Sequence, residues 1–222
     1  MTRRGLAVQN GQIVRHIAES TVSNNPDAKY VVITNPVDAM AMVCKKYSKA
    51  NFVISTGTNL ETLRLKTALT TVLNISPSKI KGWVGGEHGT DSVILWSTVK
   101  IKNKSLAKYL DLTGKKLDKQ DIENYVKNIS KQIIDNIGGT EFGPAASFRD
   151  IFRAMVLDTN EILPIASETI VEGITYPVFI SIPIKVGKSI GSSIYQNLSA
   201  QEKSELKKAA NPIYKTCNSI KV

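Results

Sequence analysis

His88 is one of only two histidines in the 222-residue chain, and it stands in GGEHGTDS (85–92), flanked by glycines and leading into an apolar run. Glycine lets backbone approach a ligand closely, and an imidazole titrating near neutrality is suited to taking a proton and returning it. Such an imidazole needs a carboxylate partner to orient it and stabilise its charged form. Glu87 and Glu61 are the candidates. Neighbours in sequence direct their side chains apart, which favours Glu61 from another element. Arg64 follows Glu61 by three residues.

Each of these residues also has a purely structural reading. Glu61 completes Thr58-x-x-Glu61, the pattern of a helix capping box, with Arg64 as its i,i+3 surface partner. Asn35 before Pro36 reads as a strand-ending turn residue, and Arg3 as a solvated terminal charge. His16 has no companion acid in its segment and reads as structural. Trp83 and Trp96 read as packing residues.

The elements that would position this set follow from periodicity. Leu6, Val8, Ile13, Val14 and Ile17 have helical spacing over 6–22. KYVVIT (29–34) is a short β-branched run of the kind buried in a parallel sheet, Asn35-Pro36 stops it, and 37–47 resumes as helix. NFVIST (51–56) completes a β-α-β unit, and Gly57 leads into a helix over 58–74. A strand is expected at 92–101, an amphipathic helix at 121–139 ended by Gly138-Gly139, and a further helix at 144–158. Residues 161–186 read as an antiparallel meander turning at Glu172-Gly173, and Ser199-x-x-Glu202 opens a C-terminal helix. A two-stranded parallel piece would expose an apolar edge, so further sheet is expected before Met1.

Composition excludes several classes. No apolar stretch is long enough to cross a bilayer, and MTRRGLAVQN lacks the apolar core of a Sec or twin-arginine signal, so a cytoplasmic protein that does not enter membranes is expected. Cys44 and Cys217 are far apart and fit neither a zinc site nor a disulfide framework; they read as inert buried thiols. The net charge of +10 would suit a nucleic-acid binder. Its densest segments, KIKNKSLAK (100–108) and GKKLDK (114–119), lack interleaved aromatics and read instead as solvated lysine-rich surface, with no nucleic-acid partner.

Taken in order, ITNPVD (33–38), LETLRLK (60–66) and GGEHGTDS (85–92) resemble the NPVD, L-D-x-x-R and G-E-H-G-x-S motifs of the lactate and malate dehydrogenases. MTRRGLAVQN (1–10) is similar to the end of that family's mobile active-site loop and the asparagine-bearing helix after it. The likeness continues into ISIPIKVGKSIG and LSAQEK, covers essentially the whole chain, and leans toward the archaeal-type, lactate-dehydrogenase-like malate dehydrogenases. It implies an α/β fold: a remnant of a doubly wound parallel Rossmann sheet in 1–56, followed by an α+β catalytic unit in 57–222.

The resemblance further implies a nicotinamide-dependent interconversion of malate and oxaloacetate in the tricarboxylic acid cycle, by a homodimer or homotetramer. His88 would be the acid/base, Glu61 its partner, and Arg64 the grip on the C1 carboxylate. Arg3 would stabilise charge on the substrate oxygen, Asn35 would hydrogen-bond that oxygen, and Thr140 would line the substrate pocket. Asn10, Ile33, Thr34 and Asn35 would contact the cofactor, expected to be NAD with NADP left open.

The chain departs from the family pattern in three places. Glu61 replaces the usual aspartate, adding roughly 1.5 Å of reach. The chain has no G-x-G-x-x-G to cradle a pyrophosphate, and the loop residue that separates malate from lactate would lie before Met1. L-lactate dehydrogenase, and a truncated non-catalytic interaction subunit, therefore stand as alternatives. A basic nucleic-acid-binding protein is the third.

Overall fold

The computed structural model describes residues 3–220, with side chains from residue 6 onward. The chain opens with α1 (Arg3–Asn24), β1 (Tyr30–Val32), α2 (Val37–Ser48), β2 (Val53–Ser55) and α3 (Asn59–Leu73). After a 3-10 turn come β3 (Ile80–Gly86), β4 (Ser92–Ile101), β5 (Lys104–Ser105), α4 (Leu106–Thr113), α5 (Lys119–Ile137) and α6 (Phe142–Leu157). The remainder is β6 (Glu161–Thr169), β7 (Val178–Val186), β8 (Ile190–Ser193) and α7 (Ala200–Ser219).

All eight strands join one sheet in the order β1-β2-β6-β7-β3-β4-β5, with β8 beside β7. Only β1 and β2 are parallel; β6 meets β2 antiparallel at Ser55 and Ala166, and every later pairing is antiparallel. The fold is thus the expected α/β mixture of a parallel Rossmann-type piece and an α+β region. The expected bare edge of the parallel pair is half covered from within the chain, because β6 lies against β2.

Neighbouring strand residues face opposite ways, so Val53 packs with Met40 and Val43 of α2 while Ile54 packs with Ile151 and Ala154 of α6. On the α3 side, Leu65, Leu69 and Leu73 meet Val84, Ile94 and Ile101. Leu206 and Ile213 of α7 pack with Leu95 and Ile180.

The sequence expectations differ from the structure in detail. β1 and β2 have three residues each rather than the expected six. β3, α4 and β8 have no counterpart in the sequence reading. In β3 the glycines of IKGWVGG dilute the alternation, and in α4 the lysines mask a helix that buries only Leu106 and Tyr109.

The two capping boxes separate. At Ser199 the box forms, and Glu202 is buried with more partners than a cap needs. It accepts from Ser199 N–H at 2.9 Å and Ser199 Oγ at 2.8 Å, and from Ser97 N–H at 2.8 Å and Ser97 Oγ at 2.6 Å. At Thr58 the box does not form: its side chain makes no capping bond, and Thr58 Oγ donates to Val84 O at 2.6 Å.

Burial alone would raise the Glu202 pKa, but the four donors outweigh it and hold the carboxyl below its usual 4.5. Its stabilisation is therefore present above pH 4.5 and lost as pH falls through the depressed folded value. Glu202→Ala should lower unfolding free energy by about 1–3 kcal/mol at pH 7 in urea titrations, with a smaller difference in strong acid. An unchanged midpoint at pH 7 would remove Glu202 as the tie between α7 and β4.

Candidate active site

The site is assembled where α3 begins. Gly57 has φ +51°, and a Cβ there would lie 2.4 Å from Ser181 Oγ and 2.7 Å from Ala166 N, so only glycine lets the strand-to-helix turn pass so close to β6 and β7. Thr58 N–H then donates to Ser181 Oγ at 3.0 Å. Together with the Thr58–Val84 bond, donation from Val84 N–H to Thr62 Oγ at 2.9 Å clamps the first turn of α3 onto β3. Glu61 lies inside this clamp with 2% of its surface exposed.

At the end of β3, Gly86 has φ +90° and a Cβ there would meet Asp91 O at 2.5 Å, so the glycine makes the turn that carries His88. His88 Nδ1 sits 3.2 Å from both carboxylate oxygens of Glu61. Arg64 Nη1 lies 3.5 Å from Glu61 Oε1, on the next turn of α3. Asp38, buried at the start of α2, accepts from His88 N–H at 2.8 Å and from Ser55 Oγ at 2.6 Å.

Burial works against a charged imidazole at His88. The hydrogen bond and charge of Glu61 and the charge of Asp38 overcome it, against a smaller opposing effect of Arg64, and the pKa rises from 6.5 to about 9. His88 is therefore cationic at neutral pH. For Arg64, burial outweighs the attraction of Glu61 and lowers the pKa, though a guanidinium remains charged.

A cavity of about 320 Å³ opens onto this cluster. His88, Arg64, Asn35, Ile33 and Thr140 line it, which brings five of the sequence candidates to one wall system, with Glu61 behind. Asn10 does not line it but donates from Nδ2 to the Asn35 carbonyl at 2.7 Å, across a turn whose Asn35–Pro36 peptide is cis. Thr34 is solvent-exposed and is not among the lining residues. The side chain of Arg3 lies outside the described residues.

Sequence reasoning missed the opposite wall, where Ser130 and Ile134 of α5 and Pro144, Ser147 and Phe148 of α6 face the cavity. Ser130 and Ile134 are one helical turn apart, a signal hidden in the longer apolar stripe of α5. Asp38 was also missed, although it ends the ITNPVD segment.

The remaining readings resolve simply. His16 is exposed on α1, while Trp83 and Trp96 are half-buried and donate to Ile162 O and Glu123 Oε1. Cys44 is buried, with its thiol pushed up to about 11 by burial; Cys217 is half-buried, and burial raises its thiol as well. Among the described residues no cluster of three or more His, Cys, Asp or Glu is placed to hold a metal, and no helix is long and apolar enough to cross a membrane.

An imidazole backed by a buried carboxylate, beside a guanidinium and next to a parallel β-α-β unit, has the chemistry to exchange a proton with a small anion. Comparison with known proteins is consistent with that chemistry. Residues 58–221 match the α/β C-terminal domain of lactate/malate dehydrogenases, and residues 1–52 match the NAD-binding domain of the same group. Malate dehydrogenase of Sulfurisphaera tokodaii is 37% identical over 214 residues, covering 96% of this chain and 67% of that protein. The L-lactate dehydrogenase C chain of Mus musculus is 32% identical, covering 96% of this chain and 66% of that protein. A lactate dehydrogenase crystal structure from a Medee basin deep-sea metagenome library superimposes with a TM-score of 0.92 at 26% identity, over 100% of this chain and 73% of that one.

The chain belongs to the lactate/malate dehydrogenase family. It spans about two thirds of the length of the curated relatives it matches.

Glu61→Gln should lower the His88 pKa from about 9 toward 6.5 or below, read from imidazole ¹⁵N shifts across a pH titration. Because folding raises this pKa, the stability His88 contributes is complete below pH 6.5 and fades as pH rises through about 9, and Glu61→Gln should remove that dependence. An unmoved His88 titration in the variant would disprove the pairing.

Proposed function

We propose that this protein is a 2-hydroxy acid dehydrogenase that interconverts malate and oxaloacetate with NAD, using a first unit over 1–56 and a second over 57–222. The observation that carries the reading is the Glu61–His88 pair at 3.2 Å with Arg64 beside it on one cavity. Malate is favoured by the likeness to malate dehydrogenases of Sulfurisphaera tokodaii and, at 35% identity, Sulfolobus acidocaldarius.

Glu61 occupies Nδ1 of His88 and leaves Nε2 to exchange a proton with the substrate oxygen on C2. Being cationic at neutral pH, His88 is ready to donate to a keto oxygen; in the reverse direction its neutral form takes the hydroxyl proton. Arg64 holds the C1 carboxylate, and its own position is steadied by Glu61. Asn35 hydrogen-bonds the reacting oxygen, and Thr140 lines the substrate pocket. The family resemblance assigns Arg3 the stabilisation of charge on that oxygen.

The residues fit the nicotinamide end of the cofactor. Ile33 presents a half-exposed apolar side chain at the cavity, next to the Asn10–Asn35 hydrogen bond and Thr34, which suits a flat ring bearing an amide. When bound, NAD supplies the hydride acceptor and NADH the hydride donor. A pyrophosphate cradle of the G-x-G-x-x-G kind is not encoded in these 222 residues.

L-lactate is the second reading, supported by the mouse lactate dehydrogenase and the deep-sea structure. Steady-state NADH formation with malate and with lactate decides between them. A greater kcat/KM for malate is expected; a greater value for lactate reverses the assignment, and no turnover of either by the folded protein supports a non-catalytic role. His88→Asn should reduce kcat about 10²–10⁴-fold. Arg64→Lys should reduce kcat/KM about 10- to 100-fold through the lost two-point contact, and an unchanged value would take Arg64 out of the substrate site. With a His88 pKa of about 9, keto acid reduction should fall above that pH while hydroxy acid oxidation rises toward it.

A further inference from the structure

We propose that the cleft between α5, α7 and the start of β4 is a binding site for a small zwitterion, an α-amino acid with a short aliphatic side chain, and that its occupancy is felt in the histidine turn. The cleft shares no lining residue with the cavity of His88.

A cavity of about 260 Å³ opens there. Three carboxylates and two ammonium groups line it: Asp91 from the loop after His88, Glu123 and Lys127 from α5, and Glu205 and Lys208 from α7. Oppositely charged residues three or four apart on one helix commonly pair, and Glu123–Lys127 and Glu205–Lys208 have those spacings. Neither pair closes here, and among the described residues neither lysine has a partner. Glu123 accepts from Trp96 Nε1 at 2.9 Å and Glu205 from Gln201 Nε2 at 3.0 Å, which leaves each carboxylate an oxygen for a ligand.

Ser92 separates this cleft from an ordinary solvated face. It lines the cavity with 4% of its surface exposed, and its buried hydroxyl has no hydrogen-bond partner among the described residues. An unpaired buried hydroxyl is costly, and one beside two unpaired ammonium groups calls for a ligand that accepts from all three. A bare anion would meet three carboxylates, and a bare cation two lysines. A molecule carrying both charges satisfies each set: its carboxylate accepts from Lys127, Lys208 and Ser92 Oγ, and its ammonium donates to Asp91 and Glu205. Val93, Ile94 and Ala209 supply the apolar part of the wall, which suits a short aliphatic side chain.

The cleft is built on the segment that closes the histidine turn. Ser92 pairs with Gly86 across β3 and β4, and Glu87 N–H donates to Asp91 O at 3.2 Å. The contact has no slack, since a Cβ on Gly86 would lie 2.5 Å from Asp91 O. A ligand drawn onto Asp91 and Ser92 therefore bears on the backbone that carries His88.

NMR titration with L-valine tests the site, with isovalerate and isobutylamine as its single-charge counterparts. L-valine should give saturable shifts of the Asp91, Ser92 and Val93 amides and of the His88 imidazole, while neither counterpart saturates. Lys127 and Lys208 are exposed, so the fold does not depend on them. Lys127→Ala, Lys208→Ala and Ser92→Ala should each weaken L-valine binding about tenfold, through the loss of one charge-assisted hydrogen bond. Arg64→Lys, in the other cavity, should leave it unchanged. Absence of saturation overturns the site, and equal binding of isovalerate or isobutylamine overturns the zwitterion. Binding that survives all three alanine substitutions, or that is lost in Arg64→Lys, places L-valine elsewhere and overturns the proposal. Saturable binding that leaves the His88 signals unmoved overturns the link to the turn. The titration needs no turnover and stands apart from the dehydrogenase reading.

Discussion

The buried Glu61–His88 pair is the interaction on which the rest of the site depends. Glu61 has 2% of its surface exposed, and His88, held 3.2 Å from both oxygens, supplies the hydrogen-bond and charge partner that so buried a carboxyl group needs. The same pairing explains why one imidazole can be both half-buried and more basic than in water. Arg64 shares Glu61, so a single carboxylate sets the direction of two cations that face one cavity.

That pair could not exist without the way α3 meets the sheet. Glu61 comes from the first turn of a helix and His88 from the end of a strand, so their separation is fixed by how closely the two elements approach. Gly57 permits the approach, Ser181 receives the Thr58 N–H, and Thr58 and Thr62 bind the backbone of Val84. Thr58 spends its hydroxyl on β3 rather than on its own helix, which frees Glu61 from any capping duty and lets it turn to His88. The longer reach of glutamate relative to the family's aspartate is accommodated inside this clamp.

Much of the fold was legible because periodicity reports burial directly. The apolar runs of β1 and β2 and the β6–β7 meander could be read from spacing, whereas of the apolar face expected on α5 only Ile122 and Val126 are buried and Tyr125, Ile134 and Ile137 are exposed. Where glycine or lysine dilutes the pattern, as in β3 and α4, the element depended on neighbours for its definition. Of the site, the histidine turn, Glu61, Arg64 and Asn35 were visible as motifs. The wall made by Ser130, Ile134, Ser147 and Phe148 was not, because small polar and apolar residues on helices carry no local sign of facing a ligand.

Two serine/threonine-x-x-glutamate patterns show the division most clearly. At Ser199 and at Thr58 the local sequence offers the same capping box, and the chain alone cannot choose between them. At Ser199 the box forms and Glu202 also binds Ser97; at Thr58 the helix start is pressed against β3, and the hydroxyl donates to the Val84 carbonyl instead of capping the helix. The sequence by itself determined which residues could exchange a proton and hold an anion, because those capacities belong to side-chain chemistry. Only the tertiary structure decided that Glu61 serves His88 and that Asp38 stands behind it, because hydrogen bonds spanning 27 and 50 residues are set by packing between elements and leave no periodic trace along the chain.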